Sequence, residues 1–217
     1  MPHYTKQLMS LNFINTITEN YKKGLPGREH QLKMGVAHRY RNIEAPPTAR
    51  QACVLMLLFP KNDEWHVLLT ERANENERDR HRGQISFPGG QVEAADENLL
   101  ACALRETYEE VGISPHHINI IGEMTDLYIP VSNFKVFPFL GWMNTPPQYQ
   151  RQISEVKQII ETPLSILQDE SNRKTKDLDV YGGLKLKDVP YFEVQGKMVW
   201  GATAMILNEF LTMITKK

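Results

Sequence analysis

The chain has 217 residues, of which 41% are hydrophobic and 24% are charged. This is the composition of an ordinary globular protein, and the length suits one domain with a substantial core. The formal net charge of −1 excludes general electrostatic attraction to nucleic acid or to an anionic membrane. We therefore expect no nucleic-acid partner and no membrane partner. A phosphate-bearing ligand would have to be held by a local cluster of side chains or by a metal.

The first residues predict a short amphipathic helix on a linker. Apolar residues recur close to helical spacing over residues 11–21, and Gly24, Pro26 and Gly27 then break the pattern. We predict an N-terminal helical extension over residues 1–30 and one larger domain over residues 31–217. No segment has the apolar core of a signal peptide or the roughly 18 apolar residues of a membrane span, so we expect a cytoplasmic protein. The helix packs either on its own domain or on a second subunit, which would make the protein a homodimer.

The segment after Ala49 predicts a hairpin of two strands. Its first strand is the continuous apolar run QACVLMLLF, its turn is KNDE, and its second strand is WHVLLTER. A continuous apolar run is typical of a strand that is buried on both faces. After a charged stretch, Pro88, Gly89 and Gly90 end an extended segment and open a loop.

A helix is predicted after this loop. Asp96 or Asn98 offers an N-cap, the helix runs to about Val111, and Gly112 follows its C-terminus. At about 100° per residue the apolar positions and the acidic positions fall on different sides. The apolar side holds Leu100, Leu104, Thr107 and Val111, and the acidic side holds Glu106, Glu109 and Glu110. We expect the three carboxylates to converge on one exposed patch.

The remaining segments predict further strands and a buried C-terminal helix. Strands are predicted in INIIGEMTDLYIP, KVFPFLGWM, VPYFEV and KMVW, and EVKQIIETPLSIL predicts a strand that leads into a short helical turn. Residues 171–187 have the composition of a hairpin-tipped insertion, and GATAMILNEFLTMI is apolar almost all round. Because strands and helices interleave irregularly, we predict an α/β fold with a mixed sheet between helices.

The two cysteines predict buried thiols rather than a metal site. Cys53 and Cys102 lie far apart in the sequence, without metal-ligand spacing, and each is surrounded by apolar residues. Such residues are most often reduced, buried thiols of a cytosolic protein.

The crowding of three glutamates within LRETYEEVGI calls for a physical reason. Like charges three or four residues apart on a helix each cost roughly a few tenths of a kcal/mol. A divalent cation would offset this repulsion, since carboxylate oxygens are the ligands that magnesium and manganese prefer. The alternative is a solvated acidic helix face without a ligand, which is common for isolated acidic runs.

The surroundings of these glutamates decide between the two interpretations. The stretch SFPGGQVEAADENLLACALRETYEEVGI resembles the signature box of the Nudix hydrolases. The positions that match the box are Gly90, Glu97, Arg105, Glu106, Glu109, Glu110, Gly112 and Ile113. The interval from Gly90 to Glu97 is one residue longer than usual, and Asp96 is the alternative for the early acidic position. The resemblance implies a Nudix-type α/β/α sandwich with a mixed β-sheet.

The lengthened box is similar to that of the Nudix subgroup that hydrolyses coenzyme A. This subgroup has an upstream pattern of LLTxR, a basic stretch, a glycine and FPGG, and the chain offers LLTERA, Gly83 and FPGG. Asp79 stands where the pattern has an arginine. The candidates for binding substrate phosphates are the basic side chains of this region, namely Arg72, Arg78, Arg80, His81 and Arg82. The alternative for the run from Arg78 to Arg82 is a solvated loop interrupted by Asp79.

The resemblance also implies a reaction and the residues that carry it. The reaction is magnesium- or manganese-dependent hydrolysis of the pyrophosphate of coenzyme A to 3′,5′-ADP and 4′-phosphopantetheine. The metal ligands would be Glu106, Glu109, Glu110 and the backbone carbonyl of Gly90. Arg105 would pair with Glu97 or with a metal-binding glutamate and orient it, and the general base would be Glu155 or a glutamate of the box.

Two alternatives remain open from the sequence. The same chemistry could act on another small nucleotide, such as ADP-ribose, NADH or a nucleoside triphosphate. The chain could also be a nucleotide-binding module without turnover, because a fold can outlast its chemistry.

Overall fold

The structure is a computed structural model and describes residues 2–36, 44–73, 83–180 and 184–215. The α-helices there are α1 (Pro2–Lys22), α2 (Arg28–Leu32), α3 (Leu99–Val111), α4 (Leu164–Gln168) and α5 (Gly201–Thr215). The strands are β1 (Arg50–Lys61), β2 (Glu64–Arg72), β3 (Ile85–Ser86), β4 (Gly89–Gln91), β5 (Asn119–Glu123), β6 (Leu127–Ile129), β7 (Phe134–Trp142), β8 (Val156–Pro163), β9 (Arg173–Val180), β10 (Leu184–Val194) and β11 (Lys197–Trp200). None of the described helices combines the length and the apolar character that crossing a membrane requires.

The larger sheet is mixed, as predicted. Strand β1 pairs antiparallel with β2, which confirms the hairpin, and parallel with β7 on its other edge. The short strand β4 pairs antiparallel with the first half of β1, on the edge that β2 occupies further along. Strand β8 pairs with β2, and β5 and β6 pair with β7. A parallel pair needs a long connection, and helix α3 lies in the connection from β1 to β7.

Side chains of β1 alternate between two apolar clusters, one on each face of the sheet. Cys53, Leu55 and Leu57 pack in the cluster that contains helix α3. Met56 and Leu58 pack in the cluster that contains helices α1 and α5. The predicted burial of β1 on both faces is therefore confirmed, and the architecture is the expected α/β/α sandwich.

The N-terminal helix packs on its own chain. It spans Pro2–Lys22 and is longer than predicted. Ile14 and Ile17 are buried in the same apolar cluster as helix α5. The Tyr21 hydroxyl donates a hydrogen bond of 2.8 Å to the carbonyl of Glu123, and it lies so close to Gly122 that a Cβ there would be 2.1 Å away. These contacts hold the end of α1 against strand β5.

A buried carboxylate on α5 fixes the segment that follows α1. Glu209 is fully buried, and one of its oxygens accepts a hydrogen bond of 3.0 Å from the backbone N–H of Gly27. The hydroxyl of Thr125 donates to the same oxygen, and the other oxygen accepts a hydrogen bond of 2.8 Å from the amide of Gln31. Buried polar groups are retained where they find partners, and these partners come from two separate parts of the chain.

A second sheet has three strands in the order β11, β10, β9. It packs against the first, since Phe192 and Val194 of β10 lie in the same apolar cluster as Met56 of β1. The predicted insertion contributes β9 and the start of β10, while Gly182 and Gly183 lie outside the described residues. The buried carboxylate of Glu71 on β2 joins the two sheets. It accepts hydrogen bonds of 2.6 Å from Lys157 on β8 and of 2.6 Å from Lys197 on β11.

We predict that Glu71→Gln lowers the free energy of unfolding by roughly 1–3 kcal/mol at pH 7, because two lysines lose their shared carboxylate. Burial alone would raise the pKa of Glu71, but Lys157 and Lys197 bring it below its ordinary value. The stabilisation is therefore complete above the unfolded-state pKa of about 4.3 and is lost as the pH falls below it. Urea denaturation of both proteins between pH 7 and pH 3 measures this.

The matched control is Glu193→Gln, which removes an exposed partner of Lys174 and should change the free energy of unfolding by less than about 0.5 kcal/mol. A difference between Glu71→Gln and the wild type that stayed constant across this pH range would contradict the assigned ion pair.

Candidate active site

Helix α3 has the predicted bounds, and its two ends show why. The Asn98 side chain accepts a hydrogen bond of 2.9 Å from the N–H of Ala101, so Asn98 and not Asp96 is the N-cap. Gly112 follows the helix in the left-handed conformation, with φ of 76°. Glycine adopts this conformation at little cost, and it ends the helix there.

The loop that carries Gly90 lies directly against the helix. Strand β4 places Gly90 opposite Cys53 of β1, on the face that α3 covers. A Cβ on Gly90 would lie 2.5 Å from the carboxylate of Glu106, and a Cβ on Gly89 would lie 2.2 Å from the carbonyl of Cys53. Both positions therefore require glycine, and the absence of side chains lets the backbone touch the Glu106 carboxylate.

The three glutamates of α3 do not share one exposed patch, so that prediction was wrong. The side chains of Glu109, Glu106 and Glu110 are 52%, 13% and 4% exposed. Glu110 turns under the loop, where its carboxylate accepts a hydrogen bond of 3.3 Å from the N–H of Gly89 and lies 3.9 Å from the Arg72 guanidinium. The sequence could not indicate this, because the cover comes from a different part of the chain.

Burial sets the protonation of these groups. Desolvation raises the pKa of Glu110 to about 8, although the charge of Arg72 and the N–H of Gly89 oppose this. Desolvation also raises the pKa of Glu106, against the opposing effect of Arg105. Repulsion from a nearby carboxylate, that of Glu155, adds to both shifts. A bound cation would relieve the cost of crowding ionised carboxylates in so little water.

Arg105 links the carboxylates, and its main partner is Asp96 rather than Glu97. Its Nε and Nη2 atoms donate to Asp96 at 2.8 and 3.0 Å, and its Nη1 donates to Glu106 and Glu109 at 2.9 Å each. Pairing with Arg105 lowers the pKa of Asp96 to about 2. Of the two partners predicted for Arg105, a glutamate of the expected metal site is observed, since Glu106 and Glu109 both accept from it. The other, Glu97, is wrong: Glu97 is exposed, and Asp96 is bonded to the guanidinium instead.

Both thiols are free and buried, as predicted. Burial raises the pKa of Cys102 to about 11 and raises that of Cys53 further. The Cys102 sulfur lies 3.8 Å from the carbonyl of Gly90 and 3.7 Å from Nη2 of Arg105. Sequence analysis missed this contact with the site, because a cysteine among apolar residues gave no signal beyond burial.

Two residues from distant parts of the chain, Arg72 and Glu155, lie near the carboxylates of α3. Arg72, at the end of β2, lies beside Glu110. The backbone carbonyl of Glu155 accepts a hydrogen bond of 2.8 Å from the N–H of Ala73, and its side chain is exposed and close enough to repel Glu106 and Glu110. Four predicted phosphate-binding residues lie outside the described part of the chain, namely Arg78, Arg80, His81 and Arg82.

The donor atoms of this site fit a hard divalent cation. They are carboxylate oxygens and a backbone carbonyl, which suit magnesium and manganese, and the Gly90–Glu106 contact has no space for a side chain. Among the residues that the structure describes, no three acidic, histidine or cysteine side chains stand close enough to hold a metal as they are. At this site both Glu106 and Glu109 are hydrogen-bonded to Arg105.

We predict that Asp96→Asn lowers the free energy of unfolding by about 1–3 kcal/mol, because Arg105 loses a buried ionised partner. Glu97→Gln is the control and should change it by less than about 0.5 kcal/mol. Equal losses in the two variants, measured by urea denaturation at pH 7, would contradict the assignment of Arg105 to Asp96.

Comparison with known proteins agrees with this geometry. The sequence model of the NUDIX domain matches residues 49–159. A protein named uncharacterized Nudix hydrolase NudL from Enterobacter sp. (strain 638) is 35% identical over 168 residues, which cover 77% of this chain and 84% of that protein. A protein of the same name from Salmonella paratyphi B (strain ATCC BAA-1250 / SPB7) is 34% identical over the same shares of the two chains.

A solved structure shares the fold. The crystal structure of a MutT/nudix family protein from Enterococcus faecalis superposes with a TM-score of 0.50 at 15% identity, covering 78% of this chain and 63% of that one. At this identity the likeness concerns the fold alone.

Proposed function

Since the chain belongs to the Nudix hydrolase family and is a nucleotide pyrophosphatase of that family, we propose that its substrate is coenzyme A or a coenzyme A derivative. The products would be 3′,5′-ADP and 4′-phosphopantetheine or its acyl form. The observation that supports this most is that the segments LLTER and FPGG lie next to each other in the fold. Strand β3 pairs with β2 at Thr70 and Ser86, and the N–H of Arg72 donates to Gln84 at 3.1 Å. The two halves of the coenzyme A pattern are therefore neighbours at the carboxylate site.

The chemical task is attack of water on a phosphorus atom that is surrounded by negative oxygens. When bound, magnesium or manganese would neutralise these oxygens and hold the pyrophosphate for in-line attack. The residues that would hold the metal are Glu106, Glu109, Glu110 and the carbonyl of Gly90. Arg105 would hold Glu106 and Glu109 at a fixed separation in the free enzyme, since its Nη1 donates to both.

Glu155 is our proposal for the group that accepts the proton of the attacking water. Its carboxylate is exposed, so it can meet water, and it lies close to Glu106 and Glu110. The carboxylates of the helix are less suited to this role: Glu110 is buried under the loop, and Glu109 is hydrogen-bonded to Arg105. A general base must be free to approach its proton.

Arg72 is our proposal for the first contact with the substrate phosphates. Its guanidinium is partly exposed and lies at the edge of the carboxylates, 3.9 Å from Glu110. A guanidinium matches phosphate oxygens in geometry and charge. The basic residues that follow in the sequence, Arg78, Arg80, His81 and Arg82, would extend this contact to the 3′-phosphate of coenzyme A.

We predict that the purified protein cleaves coenzyme A in the presence of magnesium or manganese and releases 3′,5′-ADP. The assay incubates it with coenzyme A, ADP-ribose or NADH, with and without each metal, and identifies the products by mass. Cleavage of only the other two substrates would contradict the coenzyme A proposal and retain the enzyme class. Absence of cleavage of all three would support the binding-module alternative or another nucleotide.

We further predict that Glu109→Gln and Glu110→Gln each weaken manganese binding at least about tenfold, because each removes a charged oxygen ligand. Isothermal titration calorimetry of the protein without nucleotide measures this. Glu97→Gln is the matched control, since it removes an exposed carboxylate just before the same helix. Unchanged dissociation constants in both test variants would overturn the metal role of the glutamates.

A further inference from the structure

Glu155 stands at the end of an exposed segment, residues 150–155, that has no regular secondary structure. The side chains on either side of the segment are held: Tyr149 packs on the α3 side of the sheet, and Val156 is buried. An exposed segment of this length adopts one conformation only if specific bonds fix it.

The segment is fixed to the C-terminus of α3. The N–H of Gln150 donates to the carbonyl of Val111 at 2.9 Å, and the N–H of Gln152 donates to the carbonyl of Glu110 at 2.9 Å. Carbonyls in the last turn of a helix have no partner within the helix and can accept from elsewhere. One of these carbonyls belongs to Glu110, whose side chain lies in the site.

This approach depends on Gly112. With φ of 76° the residue turns the chain away from the helix, and a Cβ on it would lie 2.5 Å from the Cβ of Gln150 and 2.8 Å from its backbone nitrogen. Backbone atoms cannot yield as the end of a flexible side chain can. Any side chain at position 112 therefore pushes the segment away from the helix.

The backbone of Gln152 in turn fixes the position of the Glu155 backbone. Its carbonyl accepts hydrogen bonds from the N–H of Glu155 at 3.2 Å and from the N–H of Val156 at 2.9 Å. The carbonyl of Glu155 is in turn held by the N–H of Ala73 at 2.8 Å. The backbone of Glu155 is thus fixed between the end of α3 and the end of β2, the two elements that also carry Glu110 and Arg72.

We propose that Gly112 and the backbone of Gln152 are positioning elements, which hold the carboxylate of Glu155 at a fixed distance from the glutamates of α3. This inference rests on the proposed function, in which Glu155 accepts the proton of the attacking water. The substrate and the metal contact neither Gly112 nor Gln152 in this scheme. Moving the segment should therefore reduce the chemical step and leave substrate binding nearly unchanged.

The kinetic test uses Gly112→Asn, because asparagine tolerates the left-handed conformation and so isolates the steric effect on Gln150. We expect kcat for the substrate identified above to fall about tenfold or more, with KM within about twofold. The double variant Gly112→Asn with Glu155→Gln should be no slower than Glu155→Gln alone, because both changes remove the same interaction. Multiplied losses in the double variant would overturn the proposal.

The matched control is Gly196→Ala. Gly196 also has a positive φ, of 75°, but a Cβ there would meet nothing within 4 Å. Gly196→Ala introduces strain at a positive φ but no steric clash with a neighbouring segment. Its kcat should equal that of the wild type. A similar loss of kcat in the control would show that strain, and not the displaced segment, explains the result.

Amide hydrogen exchange tests the attachment without any activity. In the wild type the amides of Gln150 and Gln152 should exchange slowly, while those of Arg151 and Ile153, which donate no backbone hydrogen bond among the described residues, should exchange fast. In Gly112→Asn all four should exchange fast. Fast exchange of Gln150 and Gln152 in the wild type would overturn the attachment itself. If no nucleotide is cleaved, the proposed function fails, and the exchange rates still decide whether the segment is attached.

Discussion

The contact between the Gly89–Gly90 backbone and the acidic side of helix α3 is the constraint on which the site depends. It buries Glu110, brings Glu106 against the loop, and leaves no room for a side chain at either glycine. Burial of carboxylates is unfavourable unless positive charge or hydrogen-bond donors accompany them. Arg72 and Arg105 supply the charge, and each reaches the carboxylates from a different element. The packing of the loop against α3 therefore holds these mutually repelling carboxylates close together.

Arg105 fixes the relative positions of the carboxylates in this arrangement. Asp96 holds two of its nitrogens, and Asp96 itself accepts a hydrogen bond of 2.8 Å from the N–H of Glu93. The guanidinium is therefore oriented before it meets Glu106 and Glu109. A fixed cation between two carboxylates reduces their repulsion and also defines their separation.

Local signals in the sequence were enough to predict the helices and strands. The geometry of the site could not be predicted in this way, because it depends on contacts between distant parts of the chain. Asn98 and Gly112 mark the ends of α3, and the apolar run of β1 indicates burial on both faces, since these features depend on neighbouring residues alone. The burial of Glu110 depends on Gly89, which is 21 positions earlier. The choice of Asp96 over Glu97 depends on the path of a loop. The burial of Ile14 and Ile17 on α1 depends on helix α5, at the other end of the sequence.

The carboxylate of Glu209 has a consequence for where this protein can be shortened. The recognisable family segment begins at residue 49, yet Glu209 on the last helix is completed by Gly27 and Gln31. A chain that began at residue 49 and kept the last helix would retain the buried Glu209 side chain and lose two of its donors. The residues that the family model matches are therefore fewer than those that complete the buried core of this chain, and Gly27 and Gln31 belong to the larger set.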